Sequence, residues 1–394
     1  MGSDGKAGGA GGNADRGVNG NGEEEGLRAR ARAREEVGSN HLQQRGTGRV
    51  PSAEGGWDHA HAHAHAHAET ETDDGSVLEE GAAELEDLAG VGSATAEKLR
   101  RAGIATVRDL AAVSARELEG LSELSDGKAE EVSRRAREAV FPKVLSAREY
   151  MEKRRSMPRL TTGSKNLDRL LCGGLEPGIT ELIGAYGTGK TQICLQACLT
   201  VQLTPNRGGL DGAAFYIDTE DTFKPERLEE IARGIGLEDD RALDRVFGFR
   251  AINSDHQFEG LRLAQEYVRE RGVKVLIVDS LTAHFRNEYQ GRENLVSRQQ
   301  RLNAFIHQLQ RLATLHDLIV LVTNQILDVP EVIPGVKPMR PVGGNVVAHG
   351  STFRLWLERS KGRTRVNIID SPKHPKWSTY VALSEGGVVD VDEE

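Results

Sequence analysis

Residues Gly184, Ala185, Tyr186, Gly187, Thr188, Gly189, Lys190 and Thr191 follow the pattern G-x-x-x-x-G-K-[ST]. They lie between an apolar run, Ile179 to Ile183, and a helix-like one, Gln192 to Leu199. Strand, loop, helix is the setting in which such a loop wraps phosphate. The glycines let successive N–H groups curl round the anion, the lysine reaches the outer phosphates, and the threonine hydroxyl can hold Mg2+. Every position of the pattern and both flanks agree, which argues against a chance glycine-rich turn.

Two further acidic positions suit the same chemistry. Val273 to Ser280 is a β-rich apolar run that ends in Asp279, as a carboxylate is presented beside a nucleotide's Mg2+. Gly212 to Glu220 reads as another buried strand, with Asp218 and Glu220 at its polar end, facing the crevice where open α/β sheets bind ligands. Glu220 therefore either orients and activates an attacking water or caps the helix expected near Pro225.

The chain that must position these groups has 394 residues, enough for about two domains and a tail. Met1 to about Ser76 is Gly, Ala, Arg, Glu and His with almost no aliphatic periodicity, and is expected to be disordered because it cannot offset its ordering entropy. His59 to His67 places five imidazoles in nine residues, read as either a weak transition-metal ligand or a solvated tract. No apolar stretch has membrane-spanning length and no secretory leader is evident, so the expectation is a cytoplasmic protein with no membrane partner. Cys194 and Cys198, four apart on the helix after the loop, are expected in the core, Cys172 precedes a glycine pair, and no cysteine or histidine spacing suggests zinc. A net charge of −9 excludes a surface coated with nucleic-acid-binding cations but not local basic loops.

Near Glu84 a helical module begins. Glu84 to Ala111 is expected to form a helix, a turn at Gly90 to Gly92, a second helix capped by Ser93, and a third helix after Gly103. This is a helix-hairpin-helix pattern, whose turn N–H groups can meet a DNA phosphate, with Lys98, Arg100 and Arg101 just beyond. A protein-docking bundle is the alternative. Leu124 and Gly127 suggest a degenerate second hairpin. Phe141 to Leu160 links this module to the core, and Val144 to Met151 reads as a strand or a helix start, able to join a neighbour's sheet edge or to act as a tether.

At this point the order and spacing resemble the archaeal RadA branch of the RecA-type strand-exchange recombinases. The resemblance runs from about Glu84 to Asp392 through LTTGSKNLDRLLCGGLEPGITELIGAYGTGKTQ, FYIDTEDTFKPERL, VDSLTAHFRNEYQGRENLVSRQQRLN, LVTNQI, RPVGGNVVAHGSTFRLWL and IIDSPKHP. It implies a RecA-fold ATPase that uses ATP and Mg2+, forms a homo-oligomeric filament or ring, and pairs single-stranded DNA with homologous double-stranded DNA. On that footing Glu220 polarises the attacking water and Lys190 and Gln325 share the catalytic work. Thr191 and Asp279 serve Mg2+, Gln192 adjoins the loop, and Arg227 lies near the adenine. Thr323 to Gln325 pass the γ-phosphate state to the DNA side, and Pro372 and Lys376 complete the nucleotide site from the next subunit.

The resemblance places one DNA loop at Arg286 to Val296 and a second at Leu327 to Gly344. Arg286, Tyr289 and Arg292 supply cations and an aromatic ring suited to a single strand. The second loop is longer than an ordinary connection, with Lys337 and Arg340 for charge, Val332, Ile333 and Val336 as apolar wedges, and Gly343 and Gly344 at its end.

Three residues depart from the family pattern. The subunit-linking Phe-x-x-Ala becomes Val144 and Ala147, a smaller plug at a cost of about 1 to 2 kcal/mol unless Phe141 substitutes. Asn345 stands where histidine is usual. Lys376 stands where an acidic residue helps bind a monovalent cation, so its ammonium is expected to take that cation's place, with Asp370 available to pair with it.

The sequence thus specifies an α/β chain: tail 1–80, helix-hairpin-helix domain 81–140, linker 141–160, and a RecA-type P-loop NTPase core of mainly parallel sheet, 161–394. Its expected function is ATP-dependent DNA strand exchange. The alternatives are another RecA-fold motor and a recombination mediator that binds ATP and DNA without exchanging strands.

Overall fold

The computed structural model describes residues 84–122, 124–141, 144–237, 241–328 and 339–392. The low-complexity tail with its histidine tract, and Val332, Ile333, Val336 and Lys337 of the second loop, lie outside the described residues.

The first element differs from expectation. Instead of a helix there is one 3-10 turn, Leu85–Asp87, because too few residues separate Glu84 from Gly90, which turns left-handed at φ 90°. Ser93 is not the cap but the first residue of α1 (Ser93–Arg101), and Gly92, extended, occupies the N-cap position. Then come α2 (Val107–Ala112), α3 (Ala115–Ser122) and α4 (Asp126–Val140). The second hairpin is real and repeats the first. The Gly92 carbonyl accepts from the N–H groups of Thr95 and Ala96 at 2.9 Å each, and the Ser125 carbonyl from those of Lys128 and Ala129, also at 2.9 Å. Leu85, Leu99, Leu110, Leu118 and Val132 close a small core of their own.

Val144 to Met151 resolves as the start of a helix, α5 (Ala147–Ser156), because Ser146 and Glu149 form a reciprocal capping box that fixes the first turn. No residue of α5 is buried, and Val144 just before it is 89% exposed. The short α6 (Lys165–Leu170) leads into the core.

The core alternates strand and helix: β1 (Gly178–Gly184), α7 (Lys190–Thr200), β2 (Ala213–Asp218), α8 (Pro225–Gly234), β3 (Val246–Arg250), α9 (Ser254–Glu270), β4 (Val273–Asp279), α10 (Ala283–Glu288), α11 (Leu295–His316) and β5 (Ile319–Asn324). A two-stranded ribbon, β6 (Ile326–Asp328) and β7 (Met339–Pro341), precedes α12 (Gly344–Gly350). The chain ends with β8 (Phe353–Ser360), β9 (Arg363–Asp370), β10 (Ser378–Ser384) and β11 (Gly387–Asp390). The nine-stranded sheet runs β11-β10-β9-β8-β1-β5-β4-β2-β3. Pairs from β8 through β3 are parallel, and those joining β8 to β11 are antiparallel.

Burial explains the division. β2 and β5 are buried along their whole length, as strands covered on both faces must be, whereas β8 and β9 alternate buried with half-buried residues. In β2, Ala214 and Tyr216 enter the apolar layer under α7 and α8, and Phe215 and Ile217 the layer under α9 and α11. Cys194 and Cys198 lie in the first layer as expected, where burial pushes both thiols up and leaves them inert. The C-terminal ends of four adjacent parallel strands, β1, β5, β4 and β2, thereby bring Gly184, Asn324, Asp279 and Asp218 to one edge.

The helical module rests on α9 and α11 through polar contacts. Asp109, almost fully buried, accepts from the Thr106 N–H at 3.1 Å within its own capping box, and also from Gln265 Nε2 at 2.7 Å and Arg269 at 3.0 Å. Arg311 pairs with Glu117 at 2.7 Å, and Arg108 donates to the Leu315 carbonyl at 2.6 Å. His316 closes α11 beside this junction, where burial pushes its pKa from 6.5 down to about 4, with Arg108, Arg269 and Lys274 lowering it further and Asp109 opposing. A depressed imidazole binds fewer protons folded than unfolded, so stability rises with pH between the two values and is lost as pH falls through 6.5 toward 4. That interval is worth at most ~3 kcal/mol. In urea unfolding series from pH 4 to 7, His316→Gln should flatten the acid limb relative to the unmodified protein.

Candidate functional site

The phosphate-loop residues form a turn between β1 and α7. Gly187 and Gly189 are left-handed, at φ 73° and 98°. At Gly184 a Cβ would fall 2.5 Å from the Leu357 carbonyl oxygen, so only glycine fits against β8. Thr188 Oγ1 donates to the Ala185 carbonyl at 2.9 Å and braces the turn, while Tyr186 is fully exposed. Lys190 Nζ reaches back over the loop, 2.8 Å from the Gly184 carbonyl and 2.9 Å from that of Ala185. Burial lowers this ammonium below the usual lysine range, and the negative charges of Asp279 and Glu220 oppose the shift.

Asp279 is almost fully buried and held by hydroxyls. Its Oδ2 accepts from Thr191 Oγ1 at 2.7 Å and from the Tyr216 hydroxyl at 2.6 Å, and its Oδ1 from the Thr323 hydroxyl. Burial, with Asp279 beside it, pushes the Tyr216 phenol well up and keeps it a donor. Thr191 and Asp279 therefore present adjacent oxygen donors at the mouth of the phosphate loop, the hard-ligand chemistry that fits Mg2+ bound partly by substrate phosphates. Among the described residues there is no group of three or more His, Cys, Asp or Glu that would hold a metal on its own.

Glu220 is not a helix cap. The N-cap of α8 is Lys224, without a side-chain bond, and the Glu220 carboxylate points elsewhere. Its Oε1 accepts from Ser280 Oγ at 2.8 Å and from Gln325 Nε2 at 2.7 Å, leaving the residue exposed to the crevice. Asp218 has the supporting part. It accepts backbone N–H bonds from Glu220 at 3.0 Å, Thr222 at 3.2 Å and Phe223 at 3.3 Å, and so shapes the turn that carries Glu220.

Gln325 leads directly into the ribbon that bases the second loop. Its carbonyl accepts from the Val342 N–H at 3.0 Å, and Asn324 Nδ2 holds the Val342 carbonyl at 2.8 Å. The expected unbroken loop from Leu327 to Gly344 is thus a hairpin at its base, with Leu327 opposite Arg340 and Asp328 opposite Met339. Gly343 is left-handed at φ 83°, where a Cβ would fall 2.4 Å from Val347, and Gly344 follows at φ 58°.

In the first loop Arg286 lies on α10, Tyr289 is half-buried and Arg292 is exposed. No ring contact joins Tyr289 to either arginine among the described residues. Arg286, Arg292 and Arg340 are all exposed, and none makes an ion pair among the described residues.

Other expected residues are scattered. Arg227 donates to Gln192 Oε1 at 2.7 Å and to the Ser384 and Glu385 carbonyls at 2.6 Å each, joining α7, α8 and the β10–β11 turn. Pro372 and Lys376 are exposed on the loop after β9, and Lys376 does not pair with Asp370: the lysine of this loop that finds a carboxylate is Lys373, on Glu176. Sequence reasoning also missed Tyr216 and Ser280, which look like ordinary strand and turn residues until the fold aims their hydroxyls at Asp279 and Glu220.

No helix of the described residues is long and apolar enough to cross a membrane. A family model described as a SAM-like helix-hairpin-helix tandem matches residues 82–138, the span of α1 to α4. The model described as Rad51 matches residues 153–391, more than half of the chain. That span contains the phosphate loop, the Asp279 cluster and the Glu220–Gln325 contact, and the chain accordingly belongs to the Rad51 family, the RecA-like recombinases of DNA repair.

Proposed function

We propose that the protein is an ATP-dependent recombinase of the archaeal RadA kind, a cytoplasmic DNA-dependent ATPase that assembles on single-stranded DNA and exchanges strands with a homologous duplex. The observation that carries this reading is the Glu220–Gln325 hydrogen bond, because Gln325 both holds the carboxylate and anchors the base of the second loop. One residue therefore meets Glu220 through its side-chain amide and the base of the ribbon through its backbone carbonyl.

On this reading the loop N–H groups and Lys190 bind the phosphates of ATP, and Lys190 stabilises charge on the outer oxygens. Thr191 and Asp279 hold Mg2+, whose contribution is to neutralise phosphate charge. Glu220, oriented by Ser280 and Gln325, accepts the proton of the attacking water. When a γ-phosphate competes for the Gln325 amide, the contact to Glu220 and the seat of Val342 change together, which transmits the nucleotide state to the ribbon. Arg227 and Gln192 wall the adenine side, and Lys376 of one copy approaches the phosphates of the next.

Electron microscopy with ATP and single-stranded DNA tests the assembly. Long regular filaments are expected, and their absence would favour a mediator that binds both ligands without exchanging strands, a reading consistent with the small, 89% exposed Val144 plug. Lys190→Ala should abolish nucleotide binding. Glu220→Gln should keep binding and slow hydrolysis by about two or more orders of magnitude, and normal turnover in that variant would remove Glu220 from the chemistry. The exposed arginines of the two loops give a separate measurement. Arg286→Ala, Arg292→Ala and Arg340→Ala should each reduce the log–log salt slope of single-strand affinity by about 0.7, and three unchanged slopes would exclude them from the interface.

A further inference from the structure

The first loop has two stems, α10 before it and α11 after it, and both are tied to one corner of the core, the turn from β3 into α9. Asn253 caps α9 by accepting from the His256 N–H at 2.7 Å, which sets Ser254, almost without exposure, in the first turn. The Ser254 N–H donates to Glu288 Oε1 at 2.6 Å and its hydroxyl donates to Glu288 Oε2, so the last residue of α10 is held by two bonds. The same hydroxyl oxygen accepts from Arg301 Nε of α11 at 3.3 Å, and Arg301 also pairs with Asp255 and lies 5.0 Å from the centre of the Phe258 ring. One hydroxyl group therefore joins both stems.

α10 is held at its start as well. Gln257, fully buried, donates from Nε2 to the Leu281 carbonyl at 3.2 Å, and His284 Nε2 meets the Ala251 carbonyl at 2.9 Å. A carbonyl can only accept, so this imidazole carries a proton on Nε2. On its other side the corner meets the nucleotide site. The Ala251 N–H donates to the Asp218 carbonyl at 2.8 Å, and Arg250 pairs at 3.3 Å with the Asp218 carboxylate that shapes the Glu220 turn. Ala251 thus bridges Asp218 through its N–H and His284 through its carbonyl, and it is fully buried, where water is no ready substitute for either bond. These contacts are separate from those of Gln325, which meets Glu220 and Val342.

We propose, on the reading of Arg286 to Val296 as a DNA loop, that Ser254 and His284 are positioning residues that link this loop to the Glu220 turn. A single strand that moves Arg286 or Tyr289 shifts α10 as one body, and the displacement reaches Asp218 through Ala251. Nucleotide acts along the same contacts in the opposite direction, because coupling between two binding sites is reciprocal.

The test uses the full chain. It measures the Kd for a labelled oligothymidine with and without a non-hydrolysable ATP analogue, the Kd for the analogue with and without the oligonucleotide, and ATP hydrolysis without DNA. In the unmodified protein each ligand should tighten the other by the same factor. His284→Leu should reduce that factor about three- to tenfold, with DNA-free hydrolysis within about twofold and the salt slope of DNA binding unchanged. His284→Gln should retain the factor, because its Nε2 can donate to the same carbonyl. Ser254→Ala, which removes one oxygen and adds no bulk, should give the signature of His284→Leu and carries the test should that variant not fold. If the unmodified protein shows the mutual factor and neither variant reduces it, or if hydrolysis without DNA falls in step with it, the corner is a brace and the proposal fails while the DNA-loop reading stands. If the unmodified protein shows no mutual factor, that reading fails and the proposal with it.

Discussion

A buried carboxylate organises this molecule. Asp279 ends the fourth strand of the sheet with almost no exposure, where an ionised group must be satisfied on every side. Its closest partners come from three different elements, Thr191 at the start of α7, Tyr216 in β2 and Thr323 in β5, and Thr222 of the turn after β2 adds a longer bond at 3.4 Å. Holding one charge thus fixes the loop helix, the neighbouring strand and the strand that leads to the ribbon in a single geometry. The Glu220 turn, the Gln325 amide and the ribbon base all hang from that arrangement.

The same rule, that a buried charge must be paired, recurs wherever separate parts of the chain meet. Glu181 is fully buried in β1 and accepts from Asn324 at 2.7 Å and from Arg354 at 2.6 Å, binding β1, β5 and β8 at the foot of the second loop. Asp109 seats the helical module on α9, and Glu176 gathers three cations from three segments. Each carboxylate is enclosed and multiply bonded, so loss of a partner leaves charge without compensation. The cations at the loops are the opposite case. Arg286, Arg292 and Arg340 are exposed and make no ion pair among the described residues, and a net charge of −9 does not exclude such local basic positions.

The glycines of the phosphate loop, Lys190, Thr191 and the strand-borne Asp279 are legible in the sequence because their chemistry depends on short-range spacing and local periodicity. The buried strands declare themselves by apolar runs, and Cys194 and Cys198 by four-residue spacing on one helix face. Errors arise where a short segment's state depends on its neighbours. Leu85–Asp87 lacks room to become a helix before Gly90, and Ser93 is displaced from the cap by an extended Gly92. Glu220 has a helix cap as its alternative reading until the structure places Lys224 at the cap and brings Gln325, 105 positions away, against its carboxylate.

The sequence by itself determined the strand, loop, helix setting of Gly184 to Thr191, the alternation of strand and helix and the paired hairpins, since these follow from contacts within a few residues. Tertiary structure alone decided which hydroxyls reach Asp279, which lysine of 373 and 376 meets Glu176, and how Val342 is held. Those choices depend on strands that pair far apart in the chain, and no local spacing encodes which side chains a crossover will bring together.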